Sequence, residues 1–252
     1  MRGAMKQLIV FRSRLLMTQV KSKRRVARLK RAQRQGKSAL HFLHMGKTGG
    51  TAIKHALRPF PVTGDYVIYL HHHGFGLRDV PQGEGVILFL RDPISRFVSG
   101  FLSRQRQGRP RYFTPWTPGE RQAFRHFRSP NDLGMALSSP DAAEKSKAEA
   151  AMRSITHVGG YAKWLGSEDY LASRLADMYF VGLQESLQED FELLKVKLGE
   201  PRIPALPTDP VSAHRSDPGS QSRLESAAIE NLKQWYREDY GLLAQCKRIR
   251  ER

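Results

Sequence analysis

The sequence predicts an α/β domain, doubly wound, with a central, mostly parallel sheet flanked by helices. Three observations carry that expectation. Short apolar runs alternate with segments of helical spacing along the chain. One run, Val86-Ile87-Leu88-Phe89-Leu90, is apolar at every position, as a strand buried on both faces must be. A glycine-rich turn from Gly46 to Gly50 separates the first apolar run from the first helical pattern. With 252 residues, 40% of them hydrophobic, the chain is long and apolar enough to bury a core.

The elements follow in order. Residues 1–37 form a basic arm in which Leu8, Phe11, Leu15 and Leu16 fall at roughly helical spacing. Ala39 to His44 reads as a short buried strand, and a helix is expected from Thr51 to Leu57. Tyr66-Val67-Ile68-Tyr69-Leu70 is a second strand and Val86 to Leu90 a third, central one. Pro93 suits the first turn of the next helix, with Phe97, Phe101 and Leu102 on its inner side. Residues 107–150 read as a polar, irregular insertion over the sheet edge, covering the site. It contains a capping box at Thr117-Pro118-Gly119-Glu120 and a second helix start at Ser139-Pro140. Met178-Tyr179-Phe180-Val181 is a further strand, and Leu187, Phe191, Leu194 and Leu198 mark an amphipathic helix. After a loop at 201–221, Leu224, Ala228, Leu232 and Trp235 give a terminal helix.

The formal net charge is +18, but it is unevenly placed. Of 42 Lys and Arg, 16 precede the first acidic residue, Asp65, leaving 26 against 24 acidic residues from there onward. The excess therefore sits in the arm, which can bind nucleic acid or an anionic membrane surface or is simply a solvated basic terminus. The near-neutral remainder argues against a nucleic-acid binder. One cysteine, Cys246, excludes an internal disulfide and a cysteine-based zinc site. No apolar run approaches the ~20 residues that span a bilayer, and Leu8 to Phe11 is too short for a signal-peptide core. A soluble, cytoplasmic protein is expected, divided into the arm (1–37) and one domain (38–252).

His44-Met45-Gly46-Lys47-Thr48-Gly49-Gly50-Thr51 lies between a strand and a helix and reads as an anion cradle. Glycines let backbone amides approach a ligand, the helix N-terminus adds a positive dipole, and Lys47 adds a full charge. Thr48 and Thr51 add hydroxyls. It is not a Walker A loop, because the first glycine of that motif falls on His41. At the end of the central strand stands Arg91-Asp92-Pro93-Ile94-Ser95-Arg96-Phe97-Val98-Ser99. Arg91 leaves the carboxyl edge of the sheet, where open α/β folds bind ligands, and its guanidinium fork suits a phosphate. Two other readings are open for this segment: an ion pair capping the helix, or a Walker B strand with Asp92 on magnesium.

Together the two segments resemble the cofactor motifs of sulfotransferases that use 3'-phosphoadenosine-5'-phosphosulfate (PAPS). The heparan-sulfate type of that family carries His-Ile-Pro-Lys-Thr-Gly-Gly-Thr in the first loop, where this chain has Met45-Gly46 for Ile-Pro. Phe180 to Leu187 and His214-Arg215-Ser216 onward to Trp235-Tyr236 are softer matches, so the resemblance spans roughly residues 39–246. In pattern the chain is most similar to soluble, bacterial-type members. The resemblance implies a P-loop-NTPase-like three-layer domain and transfer of a sulfuryl group to a hydroxyl of a carbohydrate or glycolipid, releasing adenosine 3',5'-bisphosphate. It implies that Lys47, Thr48, Gly49, Gly50, Thr51 and Ala52 hold the 5'-phosphosulfate. Arg91, Ser99, Arg215 and Ser216 would serve the 3'-phosphate side.

His71, His72 and His73 end the second strand. Alternation along a strand puts His71 and His73 on one side and His72 on the other, which makes an incomplete zinc site. The transfer chemistry instead needs a base of near-neutral pKa, which histidine supplies. The family's His-x-His maps its base onto His73, with His71 as second choice or as a partner orienting the acceptor. No metal is required in this reading, since fixed cations supply the charge. His157 and Gly159 to Trp164 are candidates to line the acceptor pocket, and Arg104, Arg106, Arg109 and Arg111 form a basic stripe. Two other classes remain: a nucleotide-dependent kinase sharing the cradle, and a non-catalytic anion- or membrane-binding protein using the arm.

Overall fold

The computed structural model describes residues 27, 29–110, 112–207 and 223–250. Five strands form one sheet: β1 (Ser38–Leu43), β2 (Val62–Thr63), β3 (Tyr66–Leu70), β4 (Gly85–Leu90) and β5 (Met178–Leu183). Their order is β2-β3-β1-β4-β5, and all pairings are parallel except that of β2 with β3. Parallel neighbours need crossover connections, and helices supply them. These are α1 (29–34), α2 (Gly50–Leu57), α3 (Pro93–Gln105), α4 (Pro118–His126), α5 (Pro130–Ala136) and α6 (Ala142–Ser154). The set continues with α7 (Ala162–Leu165), α8 (Glu168–Ser173), α9 (Leu187–Lys197), α10 (Ser226–Trp235) and α11 (Arg237–Arg250).

Helices cover both faces of the sheet, which is why β4 is apolar throughout. Ile87 and Phe89 pack with Leu40 and Phe42 of β1 against Ile53 of α2 and Phe191 and Leu194 of α9. Val86, Leu88 and Leu90 pack on the opposite face with Tyr161, Trp164 and the Leu242-Leu243 pair of α11. Each such side chain is fully buried or nearly so, and burying one contributes roughly 1.5–3 kcal/mol. Among the described residues no helix is long and apolar enough to cross a membrane.

The segment expected to be polar and irregular, 107–150, is largely helical. Its polar residues are the outer faces of α4, α5 and α6, whose inner residues build a separate core. Ala123, Phe127, Leu133 and Met152 meet Phe97 and Phe101 of α3 and Leu232 of α10 there. The Thr117 capping box forms as expected, Glu120 N donating to Thr117 Oγ1 at 3.2 Å and Thr117 N to Glu120 Oε2 at 3.0 Å. An equivalent box at Ser129 and Asp132 starts α5; it escapes notice in the sequence because Asp stands where the pattern has Glu or Gln. The next helix begins at Ala142, capped by Asp141 rather than by Ser139. The single C-terminal helix expected is two, α10 and α11, divided at Tyr236.

At the N-terminal side, the boundary at residue 37 cuts through packed structure. Leu29 and Ala32 of α1 are buried against Val67 of β3. The part of the arm that is described thus belongs to the domain.

Candidate functional site

Parallel pairing brings the carboxyl ends of β1, β3 and β4 to one edge of the sheet. The cradle leaves β1, the histidines leave β3 and Arg91 leaves β4, so three motifs far apart in sequence share that edge. This is the edge where ligands bind in open α/β sheets.

The turn from His44 into α2 is shaped by two conformational demands. Gly49, the residue before α2, has φ +80°, and Lys47 also lies in the left-handed region at φ +70°. A left-handed lysine is strained, a condition that recurs at functional sites. Gly50 is required for a different reason: a Cβ there would lie 2.2 Å from Cδ2 of the buried His44 ring. At Gly46 a Cβ would meet nothing within 4 Å, so that side of the loop is open. The amides of Ala52 and Ile53 donate to Gly49 O, which leaves Gly50 and Thr51 as the donors that open the helix. Thr48 is 1% exposed and its hydroxyl donates to Met45 O at 3.2 Å. The Thr48 hydroxyl thus closes the loop from within, and the amides of Gly50 and Thr51 are left at the start of α2.

Arg91 reaches back to the cradle, with Nη1 3.5 Å from Lys47 O and Nε donating to Ser95 Oγ at 2.8 Å. Burial lowers its pKa from the ordinary arginine value, while Glu185, Tyr161 and Asp92 oppose that shift. Asp92 caps α3: its Oδ1 accepts from Ser95 N and its Oδ2 accepts from the Tyr240 hydroxyl, at 2.8 and 2.9 Å. Both oxygens are thus engaged, which disfavours the magnesium role. Ser99 lies on α3 and is 6% exposed. Arg96, part of the same sequence motif, turns inward, wholly buried, to Gly159 O and to Asp239 Oδ2 at 3.6 Å. Arg215 and Ser216 lie outside the described residues.

The histidines are placed differently from the strand expectation. β3 ends at Leu70, so the period-two argument does not extend to them. His73 lies in the following turn, its Nδ1 3.0 Å from His44 O and its ring 3.8 Å from the His44 ring. A carbonyl only accepts, so Nδ1 carries the proton and Nε2 is left with its lone pair. Burial lowers the His73 pKa, opposed by the bond to His44 O and assisted by Lys54 and Lys163. The backbone at His73 is fixed by Trp164, whose indole N–H donates to His73 O at 2.7 Å. Trp164 itself is 7% exposed and belongs to the core.

His71 faces other partners. Its Nε2 lies 2.8 Å from His41 Nδ1, and His41 Nε2 lies 2.5 Å from Glu84 Oε2. Its ring stacks on Phe75 with centroids 3.5 Å apart. Gln33 of α1 donates to Glu84 Oε1 and accepts from the Tyr69 hydroxyl, extending the chain of polar groups to five residues. Burial, then the neighbouring His41, His72 and Lys54, pushes the His71 pKa down to about 4. His157 is pushed to about 4 as well, by burial first and then by Lys47, which puts it within electrostatic reach of the cradle.

Sequence reasoning missed Glu84 and His41, since nothing in their spacing links them to residue 71. It also missed Tyr161 as a support for Arg91: the phenol accepts from Arg91 N and donates to Arg91 O. Arg104, read as part of a basic stripe, is 3% exposed and paired with Glu120 at 2.7 Å. Burial opposes the charge on Glu120, but Arg104 and the Thr117 and Thr156 donors hold its pKa down at about 2. Among the described residues no three His, Cys, Asp or Glu gather as metal ligands. In comparison with known proteins, the chain matches no family model and no curated sequence.

Proposed function

We propose that the chain is a PAPS-dependent sulfotransferase of P-loop-NTPase-like fold, acting in the cytoplasm on a hydroxyl of a carbohydrate or glycolipid. The observation that carries the reading is the approach of Arg91 to the Lys47 turn, across 44 residues of sequence. Two cationic residues that follow different strands, one guanidinium reaching the backbone of the other's turn, suit a ligand with two separate anionic groups. A 5'-phosphosulfate and a 3'-phosphate on one nucleoside are such a pair. The open side of the loop at Gly46 and the free-standing first amides of α2 also fit an anion of that size.

PAPS, when bound, supplies the activated sulfuryl group and a bisphosphate leaving group. The chain's residues do the rest. The Gly49, Gly50, Thr51 and Ala52 backbone and the Thr51 hydroxyl hold the phosphosulfate, with Thr48 closing the loop beneath it. Lys47 places its ammonium where negative charge grows on the bridging oxygen, the point at which a fixed cation lowers the barrier most. Arg91 and Ser99 hold the 3'-phosphate, with Arg215 and Ser216 assigned to the same task. His73 Nε2 takes the acceptor's hydroxyl proton as that oxygen attacks in line. The relay from Glu84 through His41 holds His71 in one tautomer, and His71 is assigned to orient the acceptor. His157, within electrostatic reach of Lys47 and His73, is assigned to the acceptor side.

Calorimetry tests this directly. Adenosine 3',5'-bisphosphate should bind at least tenfold more tightly than adenosine 5'-monophosphate, without magnesium. Equal affinities, or a preference for magnesium-ATP, would replace the reading with that of a nucleotide-dependent kinase.

A further inference from the structure

Between Asp92 and Asp132 the sequence holds a single acidic residue, Glu120, and that one is buried against Arg104. The surface built by this stretch is therefore cationic without compensation. Arg121, Arg125 and Arg128 are exposed and spaced i, i+4, i+7 along and just beyond α4. Arg106 and Arg109, also exposed, join them, because Gln105 Nε2 donates to Arg128 O at 2.6 Å. Among the described residues none of these five arginines takes part in an ion pair. Asp132, the next acid, accepts from the amides of Arg128 and Ser129 and so caps α5.

Two large apolar rings stand out from this surface. Phe113 is 56% exposed and Tyr112 43%. They stand on the chain between α3 and α4. Thr114 N donates to Gln107 O at 2.9 Å, and the buried Arg104 guanidinium bonds the carbonyls of Thr114 and Pro115 from below. The Trp116 indole N–H closes the loop on Arg104 O at 2.7 Å. A phenylalanine held in water, with the Arg109 guanidinium 4.9 Å over its ring and further exposed arginines on the same stretch that make no ion pair, suits an occupant with both anionic groups and an apolar interior.

We propose that this face, the 106–116 loop with α4, seats on an anionic lipid bilayer, Phe113 and Tyr112 entering the headgroup boundary while the arginines bind lipid phosphates. Aromatic rings favour that boundary, and arginine stems lie along apolar surface while their heads stay with phosphate. A soluble polyanion would account for the arginines but offers no apolar layer for Phe113. The surface is distinct from the N-terminal arm and does not depend on the transfer chemistry.

The test uses the full chain carrying Phe113→Trp, with vesicles of mixed phosphatidylglycerol and phosphatidylcholine and of phosphatidylcholine alone. The indole emission should shift to the blue on the anionic vesicles only and be quenched by nitroxide-labelled acyl chains. Arg121→Gln/Arg125→Gln/Arg128→Gln should weaken vesicle binding about tenfold or more with an unchanged melting temperature. The proposal is overturned if the chain binds these vesicles without any shift at position 113, since the arm alone then does the binding. Absence of vesicle binding, an undiminished triple variant, or an equal shift with heparin or RNA in place of vesicles would overturn it too.

Discussion

The Tyr161 hydroxyl holds both backbone groups of Arg91, accepting from its N–H at 2.9 Å and donating to its carbonyl at 2.7 Å. One side chain thereby fixes the residue proposed to read the 3'-phosphate. Tyr161 N is in turn bonded to Asp239 Oδ1 at 2.8 Å, so the clamp is anchored in α11.

Arg91→Ala should weaken adenosine 3',5'-bisphosphate binding by about 2–4 kcal/mol, the cost of losing one side of a desolvated charge pair. Adenosine 5'-monophosphate should lose much less. Tyr161→Phe keeps the ring and removes the clamp, so it should show the same selectivity loss in milder form, several-fold. Equal losses for the two nucleotides would remove Arg91 from the 3'-phosphate.

His73→Ala should bind the bisphosphate almost normally while turnover drops roughly 10²–10⁴-fold, the usual contribution of a positioned general base. His72→Ala should lose far less. Because the His73 pKa lies below the ordinary 6.5, the midpoint of the wild-type rate's rise with pH should fall on the acid side of that value if His73 is the base. A midpoint above it would remove His73 as the base.

The relay through His41 gives a separate expectation. His41→Phe preserves the stacking partner of Tyr69 and removes both hydrogen bonds. Imidazole nitrogen spectra should then show His71 losing its single tautomer, with bisphosphate affinity unaltered. Retention of the tautomer would mean that Glu84 and His41 do not orient His71.

Stability should depend on pH through His71 and His157, both lowered to about 4 when folded. Between pH 6.5 and 4 the unfolded chain binds protons that the folded chain refuses. Stability is therefore complete above 6.5 and is lost as pH falls toward 4. Melting temperatures across this window should fall, and His157→Gln should flatten the slope by at most about 1.4 kcal/mol per pH unit, the limit for one proton. An unchanged slope would show that His157 is not held neutral.

Truncation separates the arm from the domain. Removing residues 1–26 should leave folding intact, whereas removing 1–37 strips Leu29 and Ala32 from Val67 and should cost about 2–5 kcal/mol. Equal melting temperatures for the two truncations would show that α1 packs too loosely to matter.

Much of the sheet was legible because β4 and β1 are buried on both faces, which leaves no choice but apolar residues. The meeting of the 46–50 turn and Arg91 at one sheet edge was legible for a related reason: both follow strands that the pattern places side by side. The helices of 107–150 were not, since their inner faces are short and interrupted, and α6 is mostly alanine among charges. Nor could spacing reveal that Glu84, 43 residues beyond His41, returns beside it. That contact depends on strand register, which a local pattern does not encode. The fate of Arg96 and Arg104 was hidden likewise. An arginine on a helix looks the same in sequence whether it meets solvent or a buried carboxylate.

The 2.2 Å approach that a Cβ at Gly50 would make to His44 ties the cradle to the base. The His44 ring lies against His73 at 3.8 Å, so any side chain at position 50 displaces one histidine into the other. Position 50 can change only if position 44 surrenders its ring, and then position 73 loses its neighbour. On the proposed function, selection for ligand affinity and selection for proton transfer would meet in the same three residues. Descendants of this sequence should keep or exchange them as a set.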